Sequence, residues 1–293
     1  MSADAPAPVE WPSYVQWLSG GRRIALPRLG YEVFLRSDGP EGGPPLTLLH
    51  GFPSSSHDWA AVLPALAATH RVLCLDFLGY GDSDKPHEHP YSLLEQADLV
   101  LEVWETLGVS ADGALVVHDY AVSVAQELLA RGLKPRRLAW LNGGLYPDLH
   151  RLTQGQQALM GPDGAAISEQ LTPELLAAGV RGVLARELPD AVLGDLAAAA
   201  ARREGLRNAH LLIRYVHERR ENEQRWCSAL ESVPVPYAFV WGMRDPVSGA
   251  HMLERIRARM PHADYTVLSD VGHYPQMEAP ERVAPALVDF LEP

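Results

Sequence analysis

Residues Ala114-Leu-Val-Val-His-Asp119-Tyr-Ala-Val-Ser-Val-Ala-Gln-Glu-Leu-Leu-Ala130 begin as an apolar run and change within a few residues to a helical pattern. The first part suits a fully buried strand. In the second, Ala125, Leu128 and Leu129 share one helical face. Only His118 to Ala121 separate the two, so the chain must turn sharply from a strand end into a helix start. Such an elbow lifts one side chain above the sheet, beside the free N–H groups of a helix N-terminus. The residue at its centre is Asp119, and Asp accepts left-handed backbone values better than most residues. Taken alone, the stretch fits two roles for Asp119: a reactive carboxylate, or a cap for the following helix.

The rest of the chain supplies the sheet that such an elbow needs. Short strands are expected at Arg22–Pro27 and Tyr31–Arg36, and buried strands at Leu46–Leu49, Arg71–Asp76, Arg137–Asn142, Tyr237–Trp241 and Tyr265–Leu268. Helices are expected over Trp59–Ala68, Tyr91–Leu107, Met252–Met260 and Pro280–Leu291, with Leu93, Leu94, Ala97 and Leu101 forming the stripe of the second. Trp11, Tyr14 and Trp17 predict that the Pro-rich first twenty residues end in a segment packed on the body. Between Tyr146 and Glu231 no strand pattern occurs; Ala- and Leu-rich helical stretches are broken at Gly161–Gly164 and Leu188–Asp190. The reading is an α/β body of residues 1–145 and 232–293, interrupted by a helical cap of residues 146–231.

Composition narrows the partners. A net charge of −12 argues against a nucleic-acid or anionic-membrane partner. The first ten residues lack the basic start and apolar stretch of a secretion signal, and no apolar run is long enough to span a bilayer. The 12 histidines are scattered, and Cys74 and Cys227 stand far apart, with no metal-binding spacing. A reduced, cytoplasmic home and a metal-free, cofactor-free protein are the expectation. A homo-oligomer is compatible with the sequence but leaves no mark in it.

Two further stretches offer what a reactive Asp119 would need. Asp245, in Trp241-Gly-Met-Arg-Asp-Pro-Val247, follows one expected strand, and His273, in Ser269-Asp-Val-Gly-His-Tyr-Pro275, follows the last. Singly, the first could be a turn residue and the second a cap. Together they give the chain order of nucleophile, acid and histidine, each after a parallel-type strand at the sheet edge where open α/β folds bind ligands.

On these residues the chain resembles α/β hydrolases of the epoxide hydrolase and haloalkane dehalogenase group, and within it the mesoderm-specific-transcript-like branch. The likeness runs from about residue 30 to the end. It is carried by His50-Gly-Phe-Pro-Ser-Ser-Ser-His-Asp-Trp59, His118-Asp-Tyr120, Val124-Ala-Gln-Glu-Leu128, Asn142-Gly-Gly144, Gly272-His-Tyr-Pro-Gln276 and Tyr215-Val-His-Glu-Arg-Arg220 leading to Arg225-Trp226. It implies an α/β-hydrolase fold with an inserted helical cap. It also implies a covalent mechanism on an sp³ carbon of a hydrophobic small molecule: Asp119 forms an alkyl-enzyme ester, and His273, oriented by Asp245, activates the water that hydrolyses it. The backbone amides of Phe52 and Tyr120 would hold the oxyanion. Tyr215 would protonate the opening epoxide, with Tyr146 a second candidate, and His50, Pro53, Tyr146 and Trp226 would contact substrate.

Dehalogenases of the group solvate the leaving halide with a Trp after the nucleophile, and with an Asn after the His-Gly pair or a second Trp. Here Tyr120 and Phe52 occupy those positions, so the resemblance favours epoxides over halides. The alternative in another class is a ligand-binding protein that keeps the fold without turnover, although such a protein has no need of Asp119, Asp245 and His273 together. Val117, and Ala121 with Val122, stand where the group has smaller residues, which predicts a less acute elbow and an unusual substrate.

Overall fold

A computed structural model describes residues 11–292. The short helix α1 (Tyr14–Ser19) begins at Ser13, whose hydroxyl accepts from the amide of Gln16 while the Gln16 side chain answers to the Ser13 amide. It buries Tyr14 and Trp17 on the body; Trp11 is half-buried, and residues 1–10 of the expected packed segment lie outside the described residues. Next come β1 (Gly21–Leu26), β2 (Tyr31–Asp38), β3 (Pro45–Leu49) and α2 (Leu63–Leu66). After these follow β4 (Arg71–Leu75), α3 (Leu93–Thr106), β5 (Ala114–His118), α4 (Tyr120–Ala130) and β6 (Leu138–Leu141).

Seven helices then run without a strand: α5 (Gln154–Met160), α6 (Gly164–Gln170), α7 (Pro173–Arg181), α8 (Asp190–Ala201), α9 (Ala209–Leu212), α10 (Tyr215–Glu221) and α11 (Glu223–Glu231). The chain closes with β7 (Tyr237–Gly242), α12 (Ala250–Arg259), β8 (Asp264–Leu268), α13 (Pro275–Glu278) and α14 (Pro280–Leu291).

The eight strands form one sheet in the order β1-β2-β4-β3-β5-β6-β7-β8. β1 pairs antiparallel with β2, and β2 antiparallel with β4; every other pairing is parallel. In β5 and β6 every residue is buried, which is why those strands read as unbroken apolar runs rather than alternating ones. Apolar side chains fill both faces of the sheet, one set including Leu115, Val117 and Trp140, the other Val116, Ala139 and Leu141.

Two expected helices change. In place of Trp59–Ala68 there is a 3₁₀ turn at Ser56–Trp59 and then α2, because Pro64 has no N–H with which to continue a helix from the preceding turn. The second starts at Leu93 rather than Tyr91: Tyr91 has φ 52° and Ser92 caps the helix through the amide of Leu94. Its buried stripe is Leu93, Ala97, Val100 and Trp104, spaced at three and four; Leu94 instead faces solvent at 37% exposure, and Leu101 is half-buried. Among the described residues no helix is long and apolar enough to cross a membrane.

Candidate active site

The elbow is a one-residue turn. β5 ends at His118, α4 begins at Tyr120, and Asp119 between them has φ 47° and ψ −102°. Such a conformation costs on the order of 1–3 kcal/mol and persists only where its surroundings hold it. The less acute turn expected from Val117 and Val122 is therefore not what forms. Gly143, after β6, supplies the missing space: a Cβ there would fall 2.7 Å from a Val122 methyl and 3.0 Å from the Asp119 Cα. Gly51 does the same on the other side, since its Cβ would come within 2.9 Å of both the Asp119 Cβ and the His118 Nδ1. The Asp119 side chain makes no capping bond to α4, which removes the helix-cap role.

The carboxylate is buried, at 3% exposure for the residue. Its Oδ2 accepts a hydrogen bond of 3.0 Å from the Phe52 amide, while Oδ1 lies 3.7 Å from the His273 Nε2. Tyr120 is the first residue of α4, so its N–H belongs to the helix end that has no intrahelical acceptor. On its far side His273 donates through Nδ1 to Asp245 Oδ2 at 2.8 Å. Asp245 is in turn fixed by the Asn142 amide group (3.0 Å), the Ser248 hydroxyl (2.6 Å) and the Val247 N–H (2.7 Å). The His273 carbonyl accepts from His118 Nε2 at 2.8 Å, and its N–H donates to the Val183 carbonyl. The structure thus brings Asp119, Asp245, His273 and Phe52 together from the ends of β5, β7, β8 and β3.

Burial by itself would raise both carboxyls and lower the imidazole. The charges and hydrogen bonds between the groups outweigh it. Asp245 is held at about 2, first by the charge and hydrogen bond of His273 and then by Ser248 and the Val247 amide. Asp119 is held below the usual carboxylate range by His273, Arg219 and His118. His273, between two carboxylates, is raised well above the ordinary histidine value by Asp245 and then Asp119. His118, by contrast, is pushed down to about 4 by burial and by the neighbouring His273, so it is a neutral hydrogen-bonded core histidine.

A cavity of about 150 Å³ opens beside His273, a size on the order of one aromatic ring with a short chain. The body contributes Phe52, Pro53, Gly79, Tyr80, Val247, His273 and Tyr274 to its wall. Leucines and valines of the helical segment, among them Leu159, Leu176, Val180 and Leu212, cover it. Asp119 does not itself line it, but Phe52 and His273, which face its carboxylate, do.

Not every residue expected at the site is on this wall. His50 is fully buried, with Nδ1 donating to the Gly51 carbonyl (2.8 Å) and Nε2 accepting from the Phe77 amide (3.1 Å), so it braces two loops. Tyr146 points elsewhere: its hydroxyl donates to Glu231 at 3.1 Å, and Arg255 lies over its ring. Trp226 is buried against α4, its Nε1 donating to Glu127 at 2.7 Å. Tyr215 is buried in an aromatic group with Phe52 and Tyr120, with ring centroids 5.8 and 5.1 Å away, and its hydroxyl has no partner.

Arg219, given no role from sequence, is the unforeseen member. It is 1% exposed and donates to the Asp119 carbonyl (2.8 Å), the Ser123 hydroxyl (2.6 Å) and His150 Nδ1 (3.0 Å). Its guanidinium lies 4.5 Å from the centre of the Tyr215 ring. The available signal was the four-residue spacing from Tyr215, which puts both on one face of α10. Among the described residues no three His, Cys, Asp or Glu side chains are placed to hold a metal ion.

A mostly parallel sheet carrying a carboxylate elbow, an acid and a histidine at its carboxyl edge defines an α/β hydrolase. The chain belongs to the alpha/beta hydrolase family, whose sequence model it matches over residues 48–286. The putative hydrolase LipZ of Mycobacterium tuberculosis is 39% identical over 96% of this chain and 98% of its own length. The mesoderm-specific transcript homolog protein of Homo sapiens is 35% identical, over 98% of this chain and 90% of that protein. A cis-3-alkyl-4-alkyloxetan-2-one decarboxylase of Shewanella oneidensis is 28% identical over 92% and 88% of the two chains. Among solved structures, the haloalkane dehalogenase DbeA of Bradyrhizobium elkani superposes with a TM-score of 0.80 over 92% of this chain and 97% of that one; at 23% identity the likeness is one of fold.

Proposed function

We propose that this protein hydrolyses epoxides of small hydrophobic molecules, without a cofactor, through an ester on Asp119. Helices α5–α11 would act as the cap that encloses the substrate. The observation that carries the reading is the division of labour on one carboxylate: Oδ2 accepts from the Phe52 amide at 3.0 Å, leaving Oδ1 on the His273 side. In the first half-reaction Oδ1 bonds to a ring carbon, and the carbon–oxygen bond breaks with its electron pair on the ring oxygen. A phenol protonates that oxygen, and Tyr215, with its unpartnered hydroxyl, is our candidate. In the second, water attacks the Asp119 Cγ and passes a proton to His273. The Phe52 amide, already on Oδ2, is placed for the oxyanion that forms there.

The leaving group decides between epoxide and halide. With Phe52 and Tyr120 at the halide positions, a departing chloride lacks the indole and amide N–H donors of the dehalogenases, each worth on the order of 2–4 kcal/mol by analogy with an oxyanion-hole donor. A second reading, opening of a strained four-membered lactone, is favoured by the 28% identity to the oxetanone decarboxylase over nearly the whole chain. It would use the same carboxylate and also keep the leaving oxygen on the substrate. Product analysis with matched epoxides, chloroalkanes and β-lactones tests the ranking. Diol as the fastest product supports it. Halide release or decarboxylation outpacing diol formation, in each case abolished by Asp119→Asn, reassigns the substrate.

A further inference from the structure

A buried guanidinium normally sits against a carboxylate, because leaving its charge unpaired in the interior is costly. Arg219 departs from that pattern. Its three hydrogen-bond acceptors are the Asp119 carbonyl, the Ser123 hydroxyl and His150 Nδ1, and its flat face meets the Tyr215 ring. None carries a negative charge. Arg cannot accept, so His150 accepts through Nδ1, and it is kept neutral by burial and by the Arg219 charge itself, which push it down to about 3. The acid next in sequence, Glu218, is turned away: it accepts from the Ser92 hydroxyl at 2.5 Å and the Leu93 amide at 2.7 Å, at the start of α3. Arg219 holds the backbone carbonyl of Asp119, and its charge helps keep the Asp119 carboxyl below the usual carboxylate range.

We propose that Arg219 is a positioning residue that locks the strained elbow from the cap side and drives discharge of the Asp119 ester, through the three donors it spends on neutral acceptors around Asp119. This inference rests on the ester mechanism proposed above. While Asp119 is ionised, the two charges balance. Alkylation converts the carboxylate to a neutral ester and leaves the guanidinium as a buried cation without its counter-charge. Attack of water on the Asp119 Cγ returns negative charge, first on the tetrahedral oxyanion and then on the carboxylate. Meanwhile His273 takes the water proton and hands it to the departing alkoxide. The Cγ–O bond to the substrate oxygen breaks, and an alcohol leaves. Arg219 therefore favours the states after alkylation that regain the anion. It pulls discharge forward and gives nothing comparable to the first half-reaction, in which an anion at Asp119 is lost. The same contacts make the elbow depend on α10: Glu218 fastens that helix to α3 and Arg219 fastens it to the loop between β5 and α4.

Pre-steady-state measurement of both half-reactions, with an epoxide that labels His273→Gln as probe, separates this role from packing. Arg219→Gln in the otherwise native protein should slow discharge about 100-fold or more, in the range found when one oxyanion-stabilising donor is removed, while alkylation changes by less than about tenfold. The ester should then dominate the steady state. Arg219→Lys keeps the charge but reaches fewer acceptors, and should restore discharge to within about tenfold of native. Should the Gln variant not fold, the Lys variant decides alone: discharge slowed more than alkylation supports the role, and equal slowing overturns it. Discharge at the native rate in the Gln variant also overturns it. If His273→Gln traps no ester from any epoxide or lactone, it is the ester mechanism that fails, not the assignment of Arg219 within it.

Discussion

The Nε2 of His273 lies 3.7 Å from the Oδ1 of Asp119, beyond a good hydrogen bond yet close enough for each to set the other's charge. With Asp245 at 2.8 Å on the other nitrogen, the two carboxylates favour the protonated ring and raise it well above the ordinary histidine value. A cation cannot act as a base. In the proposed mechanism, esterification of Asp119 would remove one of the two anions that favour the proton and so free the imidazole to act as a base at the stage that needs one.

This arrangement predicts different pH dependences for the two half-reactions. Asp119 is ionised down to strongly acidic pH, so alkylation should be flat across the neutral range. Discharge requires neutral His273, and in the ester the Asp119 charge that helps raise the ring is gone, leaving Asp245 to favour the proton against burial. Discharge should therefore rise with pH through the titration of His273 and level off beyond it. Rapid-quench measurement of each step from pH 5 to 9 checks this. A discharge rate that falls as pH rises contradicts it.

Trp226 gives a prediction of stability without chemistry. Its Nε1 is one of three donors to Glu127, with Arg131 and Arg225, and all meet on the buried side of α4. Trp226→Phe should cost about 1–3 kcal/mol in unfolding free energy, the usual range for a donor lost to a buried charged acceptor. Denaturant melts should register that loss, with KM unchanged within about twofold if substrate binding does not involve the residue.

Why these residues were hard to place, while the fold was not, has a physical basis. β5 and β6 announce themselves because every side chain in them is buried. The order Asp119, Asp245, His273 is legible because each follows such a strand. An aromatic residue reads alike whether it lines a cavity, as Tyr80 does, or braces a helix, as Trp226 does; the difference lies in partners such as Glu127, about a hundred positions away. The elbow shows the same limit. Val122 looks too large for a tight turn until Gly143 is seen opposite it. Arg219 is invisible as a site residue because its acceptors are a backbone carbonyl, a hydroxyl and a neutral imidazole, none of which makes a charge pattern.

The cavity predicts size selection. Ala209, the first residue of α9, is buried on its wall. Ala209→Phe should fill much of the space, raise KM for aryl epoxides by about 10-fold or more, and spare the smallest alkyl epoxides. Its cost in stability should stay within about 1–3 kcal/mol, because the added ring enters existing space. Equal effects on small and large substrates would place the binding site elsewhere.

For Tyr215 the hydroxyl is buried and unpartnered and the ring packs on that of Phe52, so Tyr215→Phe leaves no broken hydrogen bond behind. If the phenol protonates the opening ring, kcat should fall roughly 10- to 1000-fold with little change in KM. Single-turnover alkylation in the His273→Gln background isolates that step. Unchanged alkylation would make Tyr215 a packing residue under Arg219 and move the acid to another phenol, Tyr80 on the cavity wall being the next to test.

The nucleophilic role of Asp119 has the most direct measurement: intact-protein mass of His273→Gln after exposure to a panel of epoxides, followed by peptide mapping. One adduct per chain, with the mass of the whole epoxide and located on Asp119, is expected, because alkylation needs no base and discharge does. The same experiment on Asp119→Asn should give no adduct. An adduct on any other residue, or turnover by His273→Gln at the native rate with nothing trapped, would contradict the mechanism.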